Sequence, residues 1–150
     1  TRRSSDLCAI ASSFMLSADN AHAVHPHHPQ KTDATNCVYM NEGIVVKSHA
    51  GQKYTSDAVS VAVFKDLCKK ANVPVQFFAN RSDEAGGSTL GNIAMAQVSM
   101  NSVDIGLPQL AMHSTYETAG IKDTYYMIQV MTEFFNSHIS EVNSHSLKVD

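Results

Sequence analysis

Apolar residues along this chain follow two alternating patterns: short runs rich in β-branched and aromatic residues, and longer stretches at helical spacing. Ser13-Phe14-Met15-Leu16-Ser17-Ala18-Asp19 passes from apolar residues into a carboxylate, as a buried strand does when it ends in a functional loop. Gly43-Ile44-Val45-Val46-Lys47 reads as a second strand. Ser56-Asp57 then opens a helix, with Ala58, Val61, Ala62, Leu67 and Cys68 at helical spacing, that ends at Lys69-Lys70 before Pro74. Val75-Gln76-Phe77-Phe78 is the next strand, and Gly86-Gly87-Ser88-Thr89 is a turn capping a helix through Met100. Ser102-Val103-Asp104-Ile105-Gly106 is a further strand. The last helix runs from Asp123 to Phe135 and should bury Met127, Val130, Met131 and Phe134, leaving a polar tail after His138. Strand and helix taking turns in this way predicts α/β layers.

Composition narrows the functional classes. With 150 residues and 43% hydrophobic content the chain can bury one sizeable core. A net charge of −3, with both signs mixed along the chain, offers no basic stripe for nucleic acid or an anionic membrane. No apolar run reaches the roughly 20 residues that a membrane span needs, and Thr1-Arg2-Arg3-Ser4-Ser5 has no signal-like apolar stretch behind its charges. The expectation is a soluble, unexported protein. Cys8, Cys37 and Cys68, an odd number at wide spacing, fit reduced buried thiols better than a disulfide framework.

Histidine is the unusual component: four of the eight fall within residues 22–28. Neutral imidazoles ligate transition metals, although histidines in loops are commonly only solvated. Asp19 stands just upstream, at the end of a strand, where open α/β sheets keep their chemistry. Each candidate also has a plainer account. Asp19 could cap a turn, Lys47 could be an exposed strand-end charge, Tyr54 a packing residue and His113 a core histidine.

Several longer motifs resemble the aspartyl aminopeptidases, which are cocatalytic zinc exopeptidases. Ser17-Ala18-Asp19-Asn20-Ala21-His22-Ala23-Val24-His25-Pro26 is similar to that family's SAD-x-AHAxHP signature. Gly43 to Lys47 with Gln52-Lys53-Tyr54, Asn80-Arg81-Ser82-Asp83 with Gly86 to Gly91, and Asp104-Ile105-Gly106 through Gln109-Leu110-Ala111-Met112-His113-Ser114 follow in the family's order. The resemblance covers nearly the whole chain. It implies the C-terminal portion of a three-layer zinc-exopeptidase sheet with helices on both faces. By the same resemblance Asp19 binds one zinc and His113 the other, while His22, Lys47 and Tyr54 hold the substrate. Lys47 is the candidate for an acidic first side chain, since an ammonium in a desolvated pocket attracts a carboxylate and leaves a neutral group uncompensated.

The resemblance also implies what this chain does not supply. The family's early histidine, its bridging carboxylate and its paired glutamates, one of them the general base, precede the matched stretch, as does an interrupting dimerisation domain. No catalytic residue is therefore assigned here, and Asp83-Glu84 lies at the wrong place to substitute. The chain alone is expected to be inactive, because catalytic zinc sites typically take three protein ligands. The full protein is expected to carry two zinc ions per subunit, to form a large homo-oligomer and to act on peptides with N-terminal Asp or Glu. His27 and Tyr116 depart from common family residues, and Tyr116-Glu117-Thr118-Ala119-Gly120 looks bacterial, which points to a bacterial cytoplasm. A broader-specificity metalloaminopeptidase and a non-catalytic metal-binding or scaffold protein are the competing readings.

Overall fold

The structure, a computed structural model, describes residues 2–143 and 146–150. Helix α1 (Arg2–Ala11) leads into strand β1 (Phe14–Ala18), followed by the short β2 (Ala21–His22) and a single 3-10 turn at Pro29–Lys31. Then come β3 (Ile44–Ser48), α2 (Ala58–Lys70), β4 (Val75–Ala79), α3 (Leu90–Gln97) and β5 (Asn101–Gly106). The chain closes with β6 (Pro108–Leu110), β7 (Thr118–Ala119), α4 (Ile121–Asn136), β8 (Ile139–Asn143) and β9 (Ser146–Val149).

The main sheet has the order β1-β5-β3-β4. β1 runs parallel to β5 and β3 parallel to β4, but β3 meets β5 antiparallel, with Val45 opposite Gly106 and Val46 opposite Ile105. One face of this mixed sheet is apolar. Ile44, Val46, Val103 and Ile105 pack there with Val63, Phe64 and Leu67 of α2 and Val130 of α4, all buried. Burying Phe64 alone contributes about 1.5–3 kcal/mol. The opposite face carries Ser17, Val45, Lys47, Phe78 and Asp104, and α3 touches the sheet at β1 and β5. Helices on both sides of an α/β sheet match the expected layers.

Local sequence explains most boundaries. Asp57 accepts hydrogen bonds from Val59 N and Ser60 N, and Ser60 Oγ accepts from Asp57 N, a reciprocal cap that starts α2. Lys69 and Lys70 in its last turn complement the helix dipole. The buried face matches the expected one in part: Leu67 and Cys68 are buried, but Val61 is only half-buried. Ala58 and Ala62 are exposed, and the larger Val63 and Phe64 take the core instead. α3 stops at Gln97 rather than Met100, because the β-branched Val98 adopts an extended conformation. In α4 Val130 is fully buried, whereas Met127, Met131 and Phe134 are only half-buried.

Two other expectations need correction. After His138 the chain is not a plain tail, since β8 and β9 pair antiparallel: Leu147 and Val149, two residues apart, turn one face of β9 onto the main core. β1 is an edge strand, so Ser17 is its only fully buried residue and the run is less covered than a buried strand. Exposed apolar side chains at Ile121, Tyr125, Ile128 and Phe135 give α4 an outer apolar stripe.

The three cysteines are free, but only Cys68 is buried; Cys8 and Cys37 are exposed, against the expectation of buried thiols. Cys68 packs among apolar side chains, and this burial pushes its thiol from 9.0 up to about 12. Below pH 9.0 both folded and unfolded chains keep that proton; the unfolded chain loses it first, so this stability contribution fades between pH 9.0 and about 12. In maleimide labelling at pH 8, Cys8 and Cys37 should react readily and Cys68 only after denaturant is added; mass spectrometry of the labelled peptides checks this.

Candidate functional site

The parallel ladder of β1 and β5 does not stop at the sheet edge. Asp19 N donates to Ile105 O (3.0 Å), Ala21 N to Leu107 O (2.8 Å) and Ala23 N to Gln109 O (2.9 Å), so pairing resumes between β2 and β6. Asp19 and Asn20 form the break. A strand would place Asp19 and His22 on opposite faces; the interruption is what lets both serve one site. Gly106 makes it possible, since a Cβ there would lie 1.9 Å from Asp19 O. Asp19 is exposed and accepts one hydrogen bond from Asn20 N through Oδ1 (2.7 Å).

Lys47 reaches the same place from β3. It sits on the polar sheet face, level with Asp104, and is only 2% exposed, so the reading of an exposed strand-end charge fails. Its Nζ donates to Asn20 O (3.3 Å) and lies 5.2 Å from the centre of the Tyr54 ring. Among the described residues it forms no ion pair. Desolvation pulls its pKa down, and the charges of Asp19 and Asp104 partly offset that. Tyr54 packs edge-on to both His49 and Phe78, so it has a packing role as well as a place at the site. Burial, with the charges of Asp104 and Asp19, raises its phenol pKa, which keeps the hydroxyl protonated.

His22 is pushed toward its neutral form, first by burial, then by the charges of His113 and Lys47. That coupling ties His113 into the group. His113 is exposed, not a core residue, in a turn where it and Ala111 both have positive φ (67° and 55°). Non-glycine residues adopt that conformation only where surrounding contacts hold it. Ser114 N donates to Ala111 O (3.0 Å) and His113 N to Glu117 Oε1 (2.6 Å), which does so here. Asp19, His22, Lys47 and Tyr54 therefore converge, with His113 near enough for its charge to act on His22.

As metal donors, Asp19 and His113 present an exposed carboxylate and an exposed imidazole, the chemistry that zinc accepts. Among the described residues no group of three or more His, Cys, Asp or Glu could hold a metal. These two side chains supply donors of the kind zinc takes, and among the described residues they do not make a complete site.

Beside the site lies a cavity of about 550 Å³, lined by His22, Tyr54, Phe78, Asn80, Gly86 and Gly87 among others. His25 and His28, whose ring centres lie 5.2 Å apart at a 35° tilt, also line it. Two buried polar residues carry no assignment from the sequence. Asp104 is 0% exposed, and Gln109, the register partner of His22, is 2% exposed with Oε1 unpartnered among the described residues. Asp104 had a legible signal, a carboxylate inside a β-branched run; Gln109 had none.

Residues 1–135 match the family model described as "Aminopeptidase I zinc metalloprotease (M18)". The chain is 53% identical over 128 residues to "Probable M18 family aminopeptidase 2" of Clostridium novyi (strain NT), covering 85% of this chain and 30% of that protein. Among solved structures it resembles Ape4 in the Ape4 and Nbr1 complex, at a TM-score of 0.84 and 36% identity over 86% of this chain and 25% of that one. It also resembles the S. cerevisiae mApe1 dodecamer, at a TM-score of 0.76 and 26% identity over 87% of this chain and 28% of that one. The chain thus spans about 30% of the length of the curated relatives it matches.

The buried ammonium has a thermodynamic consequence. Its folded pKa is depressed below 10.5, so at pH 7 the buried charge opposes folding, and that cost is relieved as pH rises from the folded pKa to 10.5, where the unfolded chain also loses the proton. Lys47→Met should raise stability at pH 7 by about 1–2 kcal/mol, with the gain shrinking as pH climbs toward 10.5 and level beyond it; urea unfolding at pH 7 and 10.5 measures it.

Proposed function

Because this chain belongs to the M18 aminopeptidases, we propose that it supplies the acid-recognising part of a dinuclear zinc site that removes N-terminal Asp or Glu from peptides. One observation carries the reading: Lys47 is a buried ammonium with no ion-pair partner among the described residues and one long hydrogen bond. A bare buried charge is costly, and a substrate carboxylate would compensate it.

In this reading Asp19 holds one zinc and His113 the other. When bound, zinc supplies Lewis-acid polarisation of the scissile carbonyl and a water made nucleophilic at neutral pH. His22, kept neutral by its surroundings, hydrogen-bonds the substrate backbone without adding a positive charge beside the metals. Tyr54 donates its hydroxyl toward the substrate and walls one side of the pocket with its ring. The following residues of the peptide run into the cavity between the His25–His28 loop and Asn80–Gly87.

The remaining metal ligands, the general-base glutamate and the dimerisation domain come from a segment not contained in this chain. The complete enzyme is a large homo-oligomer, as its relative the mApe1 dodecamer is, and works in the cytoplasm. No described helix is long and apolar enough to cross a membrane.

The test uses the complete enzyme loaded with zinc and substrates that differ only in the first residue. Wild type should cleave Asp- and Glu-peptides far faster than Ala- or Leu-peptides, and Lys47→Met should reduce that preference by about 10- to 100-fold in kcat/KM. Equal rates on acidic and neutral substrates in wild type would leave a broader aminopeptidase. Tight binding of two zinc ions and peptide hydrolysis by these 150 residues alone would sink the partial-site reading.

A further inference from the structure

Asp104 belongs to a motif that the proposed chemistry leaves without a role. It is fully buried in β5, beside Ser17 of β1 and level with Lys47 of β3. Among the described residues it forms no ion pair. Hydroxyl and amide donors satisfy the carboxylate instead. Oδ1 accepts from Ser17 Oγ (2.5 Å) and Thr89 Oγ1 (2.7 Å). Oδ2 accepts from Thr55 N (2.6 Å) and Thr55 Oγ1 (3.0 Å).

These four bonds join segments that are far apart in sequence. Thr55 directly follows Tyr54, Ser17 lies two residues before Asp19, and Thr89 lies two residues after Gly87 of the cavity's Gly86–Gly87 wall. The main chain of Asp104 adds to the grip: its N–H donates to Ser56 Oγ (3.0 Å). Ser17 Oγ in turn accepts from Gly91 N (2.9 Å), and a Cβ on Gly91 would stand 2.7 Å from that hydroxyl. Thr89 is the N-cap residue of α3, yet its hydroxyl makes no cap hydrogen bond and goes to Asp104. A residue type favoured for capping its own helix is here committed to the carboxylate.

Hydrogen bonds to an ionised acceptor are shorter and stronger than neutral ones, and four on one carboxylate leave the loops little freedom. We propose that Asp104 is a positioning residue for specificity, holding Tyr54 and the glycine wall against Lys47 so that the pocket is shaped for an acidic side chain before substrate arrives. The proposal rests on Lys47 and Tyr54 forming that pocket. Pre-setting their geometry removes an ordering cost from binding, so its loss appears in substrate affinity and selectivity rather than in the chemical step.

The experiment compares wild type, Asp104→Asn and Thr55→Val in the zinc-loaded complete enzyme, with acidic and neutral first residues. Asparagine keeps the size of the side chain but exchanges one acceptor oxygen for a donor; valine keeps the shape of Thr55 and removes only its hydroxyl bonds. Asp104→Asn should raise KM for the Asp-peptide about tenfold, leave kcat within about threefold, and lower the acidic-to-neutral ratio of kcat/KM about tenfold. Thr55→Val should lower that ratio about threefold, and it decides the matter if Asp104→Asn does not assemble. A purely structural role would reduce the active fraction, so kcat would fall while KM and the ratio stayed put; that result overturns the proposal. Absence of acidic preference in wild type would instead remove the reading of Lys47 on which it rests.

Discussion

Asp19 reaches its place because β1 and β5 run parallel from Phe14 opposite Asn101 to Ala18 opposite Ile105, and so release their chains at the same edge of the sheet. The two chains then stay together, through Leu107 and Gln109, into the smaller sheet. Everything at the site hangs on that shared exit. The break at Asp19–Asn20 reverses the face on which the following side chains fall, and Asn20 O becomes available to Lys47 Nζ. A continuous strand would have held that carbonyl in the ladder and sent His22 to the other side.

The sheet divides its labour between faces. One side is closed by α2 and α4 and supplies cohesion; the other holds an unusual density of buried polar groups. Two fully buried aspartates organise the loops with no ion-pair partner among the described residues. Asp104 does so around the site. Asp123, at the start of α4, accepts from Asn41 N (2.5 Å) and Gly43 N (3.0 Å) and fixes the entry into β3. The central strand that carries Lys47 is thereby set from its beginning by one carboxylate and flanked near its end by another.

Much of this was legible in the sequence, for identifiable reasons. The β-branched runs at Ile44–Lys47 and Ser102–Gly106 and the Ser56-Asp57 helix start are local signals, and local signals place elements well. Other features depend on neighbours that no window of sequence reveals. The antiparallel meeting of β3 with β5, which puts Lys47 in the sheet interior, is set by topology. The turn of α2 that exposes Ala58 and Ala62 reflects competition with Val63 and Phe64 for one core. Tertiary contacts likewise decided the pairing of β8 with β9, whose few apolar residues are too sparse to announce a strand. The long-range bonds of Asp104 span up to 87 positions along the chain.

Gly106 gives the site an evolutionary rigidity. Any other residue brings at least a Cβ, and that atom would fall 1.9 Å from Asp19 O. Every amino-acid change reachable from a glycine codon by one base substitution therefore pushes on the Asp19 backbone. Elsewhere on this fold, exposed positions of α1 or α4 have many neutral neighbours in sequence space and can drift. At the crossing of the two chains there are none, so a lineage can leave this arrangement only by giving up the placement of Asp19.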